Sequence, residues 1–186
     1  MELFNTLKMD KKLKVITITA CAFALALVGY VNDAEAAAYI KFDGVDGESQ
    51  DAKHKEWIEI LSFSQTISRG DSGASVRSSA GAVFQDIVLT KELDKSSPKL
   101  AESIAMGKVF PILEFHLTSS AGTYYAYELK NVMVTSYSIS GDADERPTEQ
   151  ISLNFEEIKT TYTEYGPDGS KKGNVEYTWK VEEGTS

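Results

Sequence analysis

The sequence predicts a mainly β domain, a barrel or sandwich that carries one short α-helix. Three observations lead to this prediction. Apolar and polar residues alternate along several segments with the period of two that a half-buried strand requires. Turn-forming residues such as Asp-Gly and Gly-Pro-Asp-Gly separate these segments. One stretch instead combines helix-starting and helix-ending residues with an apolar stripe at i, i+4 spacing.

Three segments show the strand alternation most clearly. Their apolar residues are Leu113, Phe115 and Leu117, then Ile151, Leu153 and Phe155, and finally Val175, Tyr177, Trp179 and Val181. We expect each of these sets to face the core. Residues 57–67, 83–89 and 124–134 are apolar on both faces. That pattern is typical of central strands, or of strands whose outer face meets another subunit.

Turns and loops are predicted between the strands. Asp43-Gly44 and Asp46-Gly47 are expected to supply the positive φ of tight turns. The Gly-Pro-Asp-Gly run at 166–169 is expected to close a hairpin between residues 160–165 and 175–181. Residues 141–147 form a polar loop. The Ser- and Gly-containing residues 62–82 are predicted to form a long loop that extends from the body of the domain.

The helix is predicted to begin near Ser97, whose side chain is expected to be the N-cap, followed by Pro98 in the first turn. Leu100 and Ile104 give it a short apolar stripe. Gly107 fits the position just past its end. Such a short stripe predicts a helix that packs at the side of the β-structure.

Composition limits the possible functions. The 186 residues carry a net charge of −9, which repels phosphate backbones, so a nucleic-acid partner is not expected. Cys21 is the only cysteine, so a disulfide framework within the chain is excluded.

The first 36 residues have the pattern of an export signal. Residues 15–28 are an uncharged run after several lysines, shorter than the roughly 20 residues that span a bilayer. Ala34-Glu35-Ala36 supplies a cleavage pattern, and Ala36-Ala37-Ala38 supplies an alternative. We therefore expect a signal segment at 1–36, one domain at 37–186, and a secreted or periplasmic protein without a stable membrane span. An uncleaved membrane anchor is the other interpretation.

Motifs that would carry chemistry are weak. Gly70-Asp71-Ser72-Gly73 matches the nucleophile signature of trypsin-like proteases, but His54 and His116 are badly placed in the chain to serve as its base. The carboxylates at 43, 46, 48 and 51 do not follow the spacing of a calcium-binding EF-hand. Those between 142 and 157 are interpreted as an acidic surface. His54 is predicted to lie in a solvated loop and His116 to face solvent or a subunit interface. No catalytic, metal or cofactor site is predicted.

Three stretches, residues 39–60, 90–100 and 136–158, resemble the haemolysin-coregulated protein (Hcp) family, which forms the tube of the bacterial type VI secretion system. The stretches read YIKFDGVDGESQDAKHKEWIEI, TKELDKSSPKL and SYSISGDADERPTEQISLNFEEI. The resemblance implies a β-barrel of two sheets with a helix at its side. It also implies a six-membered ring that stacks into tubes, carries effector proteins in its lumen and meets a spike at the tube tip.

In that family the long loop reaches a neighbouring ring. The resemblance therefore assigns ring stacking to a loop that contains Arg69, Gly70, Asp71, Ser72 and Arg77. Family members assemble in the cytoplasm and lack an export signal, so residues 8–38 depart from the pattern. The alternative hypothesis is an exported β-domain, monomeric or ring-forming, that binds a ligand or surface outside the secretion machine.

Overall fold

The computed structural model describes residues 36–69, 81–181 and 183–184. Within them lie eleven strands and one helix, and most described residues belong to strands. The strands are β1 (Ala37–Phe42), β2 (Ile58–Ile60), β3 (Ser62–Ser64), β4 (Ile67–Arg69), β5 (Ala82–Phe84), β6 (Ile87–Glu92), β7 (Val109–Ser119), β8 (Gly122–Ser140), β9 (Thr148–Asn154), β10 (Glu157–Tyr165) and β11 (Lys171–Lys180). The helix, α1, spans Ser97–Met106.

Nine of the described strands form one sheet, in the order β2-β1-β7-β8-β9-β6-β3, with the β10–β11 hairpin attached to β8. The long strand β8 lies at its centre. One edge of β8 pairs with β7, and the other edge pairs first with β10 and then with β9. Strands β4 and β5 form a separate two-stranded sheet.

The two ends of this strand order lie on the same stretch of chain. Only Leu61 separates β2, which pairs with β1, from β3, which pairs with β6. The Leu61 amide donates to the Thr90 carbonyl at 2.8 Å. The sheet therefore wraps back towards its first strand. The predicted fold, a mainly β barrel-like body of two sheets with one short helix, is confirmed.

The core lies inside the wrapped sheet. Its most deeply buried apolar side chains include Ile40, Phe42, Ile58, Leu89, Leu100, Phe110, Leu113, Phe115, Leu129, Ile151 and Leu153. Burial of a side chain of this size contributes about 1.5–3 kcal/mol to folding. The alternation predicted these positions correctly in β7 and β9, because each of those strands has one face on the core.

The prediction for the last strand is partly wrong. Trp179 packs against the core, but Val175 and Tyr177 are 74% and 43% exposed. Both belong to the β10–β11 hairpin, and β11 pairs only with β10 among the described strands. The hairpin itself forms as predicted, with Tyr162 opposite Val175. The apolar face of the hairpin therefore continues beyond the part of the sheet that forms the core of the described residues.

The helix begins one residue earlier than predicted. Ser96, not Ser97, is the N-cap, and its carbonyl accepts from the amides of Lys99 and Leu100. Ser97 is instead buried, and its Oγ accepts from the Asp94 amide at 3.0 Å. Pro98 lies in the first turn, and Gly107 ends the helix in the left-handed conformation, with φ 60°.

The two Asp-Gly pairs differ. Gly44 has φ 74°, as a tight turn requires. Gly47 does not have positive φ, so that expectation is wrong. A Cβ on Gly47 would lie 2.3 Å from the Trp57 carbonyl oxygen. Glycine is needed at this position because two backbone segments approach closely.

Part of the predicted long loop, residues 62–82, forms strands: β3 and β4 lie within it, and β5 begins at Ala82. β4 and β5 pair with each other, with Arg69 opposite Ala82. Arg69 is exposed. The remaining residues assigned to ring stacking, Gly70, Asp71, Ser72 and Arg77, lie outside the described residues.

The predicted signal segment also lies almost wholly outside the described residues, including Ala34. Ala36 is described and exposed, and Ala37 begins β1 opposite Thr118. In the part of the chain that the structure describes, no helix has the length and hydropathy needed to cross a membrane.

Candidate functional site

The two histidines of the chain are in direct contact. His54 Nε2 lies 3.0 Å from His116 Nδ1, although 62 residues separate them in sequence. On its other side, His54 Nδ1 lies 2.8 Å from the Asp51 carboxylate. The His54 side chain is only 4% exposed and that of His116 is 22% exposed. The expectation of a solvated His54 is therefore wrong. His116 lies on the face of β7 away from the core, where His54 and Trp57 contact its ring, and its expected subunit interface stays a prediction.

Aromatic rings enclose this histidine pair. The Tyr39 ring stacks on His54 with centroids 4.5 Å apart, and Trp57 meets His54 edge-on at 4.9 Å. Trp57 also lies 4.7 Å from His116. Tyr39 and His116 are paired residues of β1 and β7. His54 therefore docks onto the outer face of the sheet, between neighbouring strands.

Residues 47–57, which we call the histidine segment, hold His54 in this position. The Asp51 carboxylate accepts from the amides of Lys53 and His54, both at 2.9 Å. The Gly47 amide donates to the Glu56 carbonyl, and the Ser49 amide to the Trp57 carbonyl. These bonds fold the segment back on itself. The compact form explains why Gly47 has no room for a side chain.

The electrostatics follow from this burial. Desolvation, with a smaller contribution from the charge on His54, lowers the pKa of His116 from 6.5 to about 4. The hydrogen bond from His54 lowers the pKa of the Asp51 carboxyl. The charged form of His116 is therefore disfavoured at the surface where the two rings meet.

A second buried polar group joins β6, β9 and the helix. Lys91 and Glu149 are cross-strand partners, and both are 1% exposed. Lys91 Nζ donates to Glu149 Oε2 at 2.6 Å and to Asp94 Oδ1 at 2.8 Å. The Tyr137 hydroxyl donates to Glu149. Burial is the main cause that raises the pKa of Tyr137. The interpretation of Glu149 as part of an acidic surface is wrong, because its carboxylate is an internal ion-pair partner.

Two carboxylates of the acidic cluster at 43–51, those of Asp46 and Glu48, are each paired with a basic side chain. Lys41 Nζ lies 2.7 Å from the Asp46 carboxylate, and Arg146 lies 3.0 Å from that of Glu48. Each therefore has its own basic partner. Among the residues that the structure describes, no group of three or more His, Cys, Asp or Glu is placed to hold a metal ion. Ser72 of the protease-like motif lies outside them.

Two exposed apolar patches lie on the sheet. The hairpin patch is the exposed part of the β10–β11 hairpin and consists of Tyr162, Val175 and Tyr177. The strand patch lies on β7 and β8, on the face of the sheet that points away from the core. It consists of Val109, Ile112 and Met133, which are 40–48% exposed. Val109 and Met133 are directly paired. Large apolar side chains grouped in this way are typical of surfaces that meet another protein.

Comparison with known proteins identifies the family. The model of the type VI secretion system effector Hcp family matches residues 39–162. The chain belongs to the Hcp family. It is 35% identical over 151 residues to Protein hcp1 of Pseudomonas aeruginosa, covering 77% of this chain and 93% of that relative. The match to the family model begins in β1 and ends in β10, so it spans nearly all of the wrapped sheet.

Solved structures agree with this assignment to the Hcp family. A type six secretion system protein superposes with TM-score 0.75 at 31% identity, over 81% of this chain and 98% of its own. Hcp1 from Salmonella typhimurium superposes with TM-score 0.68 at 26% identity, over 81% and 97% of the two chains. The resemblance found in the sequence is confirmed.

Proposed function

We propose that this chain is the ring-forming structural subunit of a type VI secretion tube. The observation that carries the proposal is family membership over residues 39–162, the region that builds the wrapped sheet. The chain acts by assembly and not as an enzyme. Family membership and the two exposed apolar patches both support self-association.

The hairpin patch and the strand patch have the arrangement that a ring needs. A closed cyclic ring uses two different surfaces of each subunit, one of which meets the other on the next copy. The two patches lie on opposite faces of the sheet and have no residue in common. We propose that the hairpin patch of one copy packs on the strand patch of its neighbour, in a ring of six copies.

The partners proposed for the ring follow from the Hcp family. Rings stack into a tube through the loop that begins after Arg69, carry effector proteins in the lumen and meet a spike at the tip. The tube leaves the cell through the type VI machine. The export signal at residues 1–36 stays a prediction from sequence, and its cleavage would leave β1 intact because β1 begins at Ala37.

The native mass of residues 37–186 tests the ring directly. We expect a dominant species with the mass of six copies in native mass spectrometry and light scattering. A monomer that persists across a wide concentration range would contradict the proposal. That outcome would favour the exported β-domain that works outside the secretion machine.

The Val175→Lys variant tests the hairpin patch. Val175 is 74% exposed in the single chain, so lysine costs the folded monomer little, but it places a charge in an interface that must exclude water. We expect monomers with an unchanged circular dichroism spectrum. Ile139→Lys is the matched control, because Ile139 is 55% exposed and lies outside both patches. Rings formed by Val175→Lys would show that the hairpin patch is not the contact.

A further inference from the structure

The contact between the two histidines has room for one proton. His54 Nε2 and His116 Nδ1 are 3.0 Å apart, a hydrogen-bond distance. One nitrogen must donate and the other must accept. Two protonated rings would direct N–H groups at each other, because both nitrogens of an imidazolium are donors. The contact is therefore compatible with at most one imidazolium.

Asp51 determines which ring accommodates that charge more easily. Its carboxylate lies 2.8 Å from the other ring nitrogen of His54, Nδ1. A charged His54 would therefore donate to Asp51 through Nδ1 and to His116 through Nε2. His116 would then accept at Nδ1 and stay neutral. Once His54 is charged, a second proton, on His116, is the one that this geometry cannot hold.

The charged groups around the pair do not remove this conflict. Glu114, on β7, lies 3.7 Å from His116 Nε2 and is half exposed. Glu59, the β2 residue opposite Tyr39, and the Tyr39 phenol face the pair from neighbouring strands. Glu114 can attract a charged His116 from the Nε2 side. It cannot separate two N–H groups that meet on the Nδ1 side.

Besides His54, the histidine segment reaches the rest of the fold through the side chains of Glu48, Ser49 and Trp57. Glu48 accepts from the Lys95 amide and from Arg146, both at 3.0 Å, and both bonds are exposed. Exposed ion pairs of this kind contribute only about 0–1 kcal/mol. Ser49 is 0% exposed and hydrogen-bonds to the Tyr39 side chain, and Trp57 lies 4.7 Å from His116. Among the contacts of Ser49, Trp57 and His54, that of His54 is the one whose side chain can take up a proton.

We propose that the His54–His116 pair is an acid-released latch, which docks the histidine segment on the sheet at neutral pH and frees it when both rings become protonated. Release exposes Tyr39 and Trp57 and separates the segment from the outer face of β1 and β7. The core beneath these strands does not depend on the contact. The expected change is therefore local to the histidine segment, and it does not depend on assembly of the chain into a six-copy ring.

The sign of the pH dependence follows from His116. Its pKa in the folded protein, about 4, is below the ordinary 6.5. The released state therefore binds the proton more readily than the docked state. Docking is fully stable above pH 6.5 and is weakened as pH falls towards 4. One extra proton taken up on release raises the opening constant about tenfold for each pH unit within this window.

Hydrogen exchange of the full-length protein tests the latch. We expect the amides of Ser49, Glu56 and Trp57, which are bonded within the segment, to exchange faster as pH falls from 6.5 to 5. After correction for intrinsic exchange, their opening constant should rise with a slope that approaches about tenfold per pH unit. Core amides of β8 should keep a constant protection. An opening constant of the segment that does not change with pH would overturn the proposal.

His116→Asn is the matched variant. The asparagine amide can replace Nδ1 as either donor or acceptor towards His54, but it does not titrate. The segment should stay docked at pH 7, and its opening constant should change at most about twofold between pH 6.5 and 5. The same steep pH dependence in this variant would assign the effect to another group and overturn the latch.

Nitrogen-15 spectra of the two imidazole rings at pH 7 give a test that needs neither acid nor a variant. We expect a single proton between His54 Nε2 and His116 Nδ1, with His54 Nδ1 protonated towards Asp51. On acidification, His116 should titrate well below 6.5. A His116 ring that titrates at its ordinary pKa of 6.5 would show that the contact does not exist in solution and would overturn the proposal.

Discussion

Lys91 shows how a single residue is controlled by its surroundings. In sequence it follows an apolar strand and precedes Glu92, as an ordinary surface lysine would. In the structure it is 1% exposed, and its ammonium is surrounded by Glu149, Asp94 and the Glu92 carbonyl. Burial of such a charge is tolerated only because its hydrogen bonds are made within the protein. The ion pair ties β6 to β9 beside the start of the helix.

Replacing Lys91 with methionine should strongly destabilise the protein. The change leaves the Glu149 carboxylate buried without its cation, which costs about 3–5 kcal/mol. Urea unfolding followed by tryptophan fluorescence measures the loss. The double variant Lys91→Met, Glu149→Gln should lose less than the single variant, because it has no unpaired buried charge.

Lys99 provides the matched control for Lys91. It forms an ion pair with Glu102 on the helix surface at 2.8 Å, with its side chain 64% exposed. Lys99→Met should change stability by no more than about 0.5 kcal/mol, since exposed pairs contribute little. A similar loss at Lys91 and Lys99 would mean that burial is not the cause.

Single residues were also where the sequence was least informative. Periodicity predicts which face of a strand is apolar, but it does not reveal which distant side chains meet. Lys53 and Lys55 on either side of His54 indicated a solvated loop, yet the Asp51 turn directs His54 onto β1 and β7. The prediction of a left-handed conformation at Gly47 was wrong for the same reason. Glycine is needed there because the Trp57 backbone, ten residues later in the chain, lies too close for a side chain.

At the scale of elements, the close approach at Gly47 can be tested directly. A Cβ there would lie 2.3 Å from the Trp57 carbonyl oxygen. Gly47→Ala should therefore displace the histidine segment and cost about 1–3 kcal/mol or more, the usual range for overpacking. Thermal unfolding at pH 7 measures this cost.

Gly173→Ala is the corresponding control. An added Cβ at Gly173 meets nothing within 4 Å, and this residue lies in a strand with ordinary φ. We expect no loss of stability in this variant. If Gly47→Ala is equally neutral, the segment is not packed as closely as the structure shows.

Strands and turns were largely predictable from the sequence. The alternation located β7 and β9 with their buried faces, and the Gly-Pro-Asp-Gly run located the final hairpin. Alternation marks a face as apolar, however, without showing what covers it. Val175 and Tyr177 have the pattern of core residues and lie exposed because their hairpin extends past the core. The predicted strand at 57–67 is divided among β2, β3 and the start of β4, and the one at 83–89 between β5 and β6. These divisions were missed because three residues are too few to show a period.

At the scale of the whole molecule, the resemblance of three sequence stretches predicted the fold and family that the comparisons established. Assembly is the part that one chain does not contain. The proposed six-copy ring would depend on how the hairpin patch and the strand patch meet on neighbouring copies, and the sequence of one copy specifies only the two surfaces.

Deleting residues 70–79 should separate ring formation from stacking. The deletion lies between β4 and β5, which pair with each other at Arg69 and Ala82, so a short connection can still join them. We expect six-copy rings of normal mass and no tubes by electron microscopy. A scrambled sequence of the same ten residues is the control for length. Normal tubes after deletion would show that these residues do not stack the rings.

The strand order has a consequence for how the molecule bears mechanical force. From β1 through β7, β8 and β10 to β11, each neighbour is antiparallel, so β1 and β11 point in the same direction. A pull applied at Ala37, the first residue of β1, and at Lys180, the last of β11, acts along the strands in opposite senses. Such a load shears whole ladders of hydrogen bonds at once instead of opening them one at a time, because those bonds lie perpendicular to the strands. We therefore expect the sheet to resist tension between these two points far better than a force that peels β11 from β10.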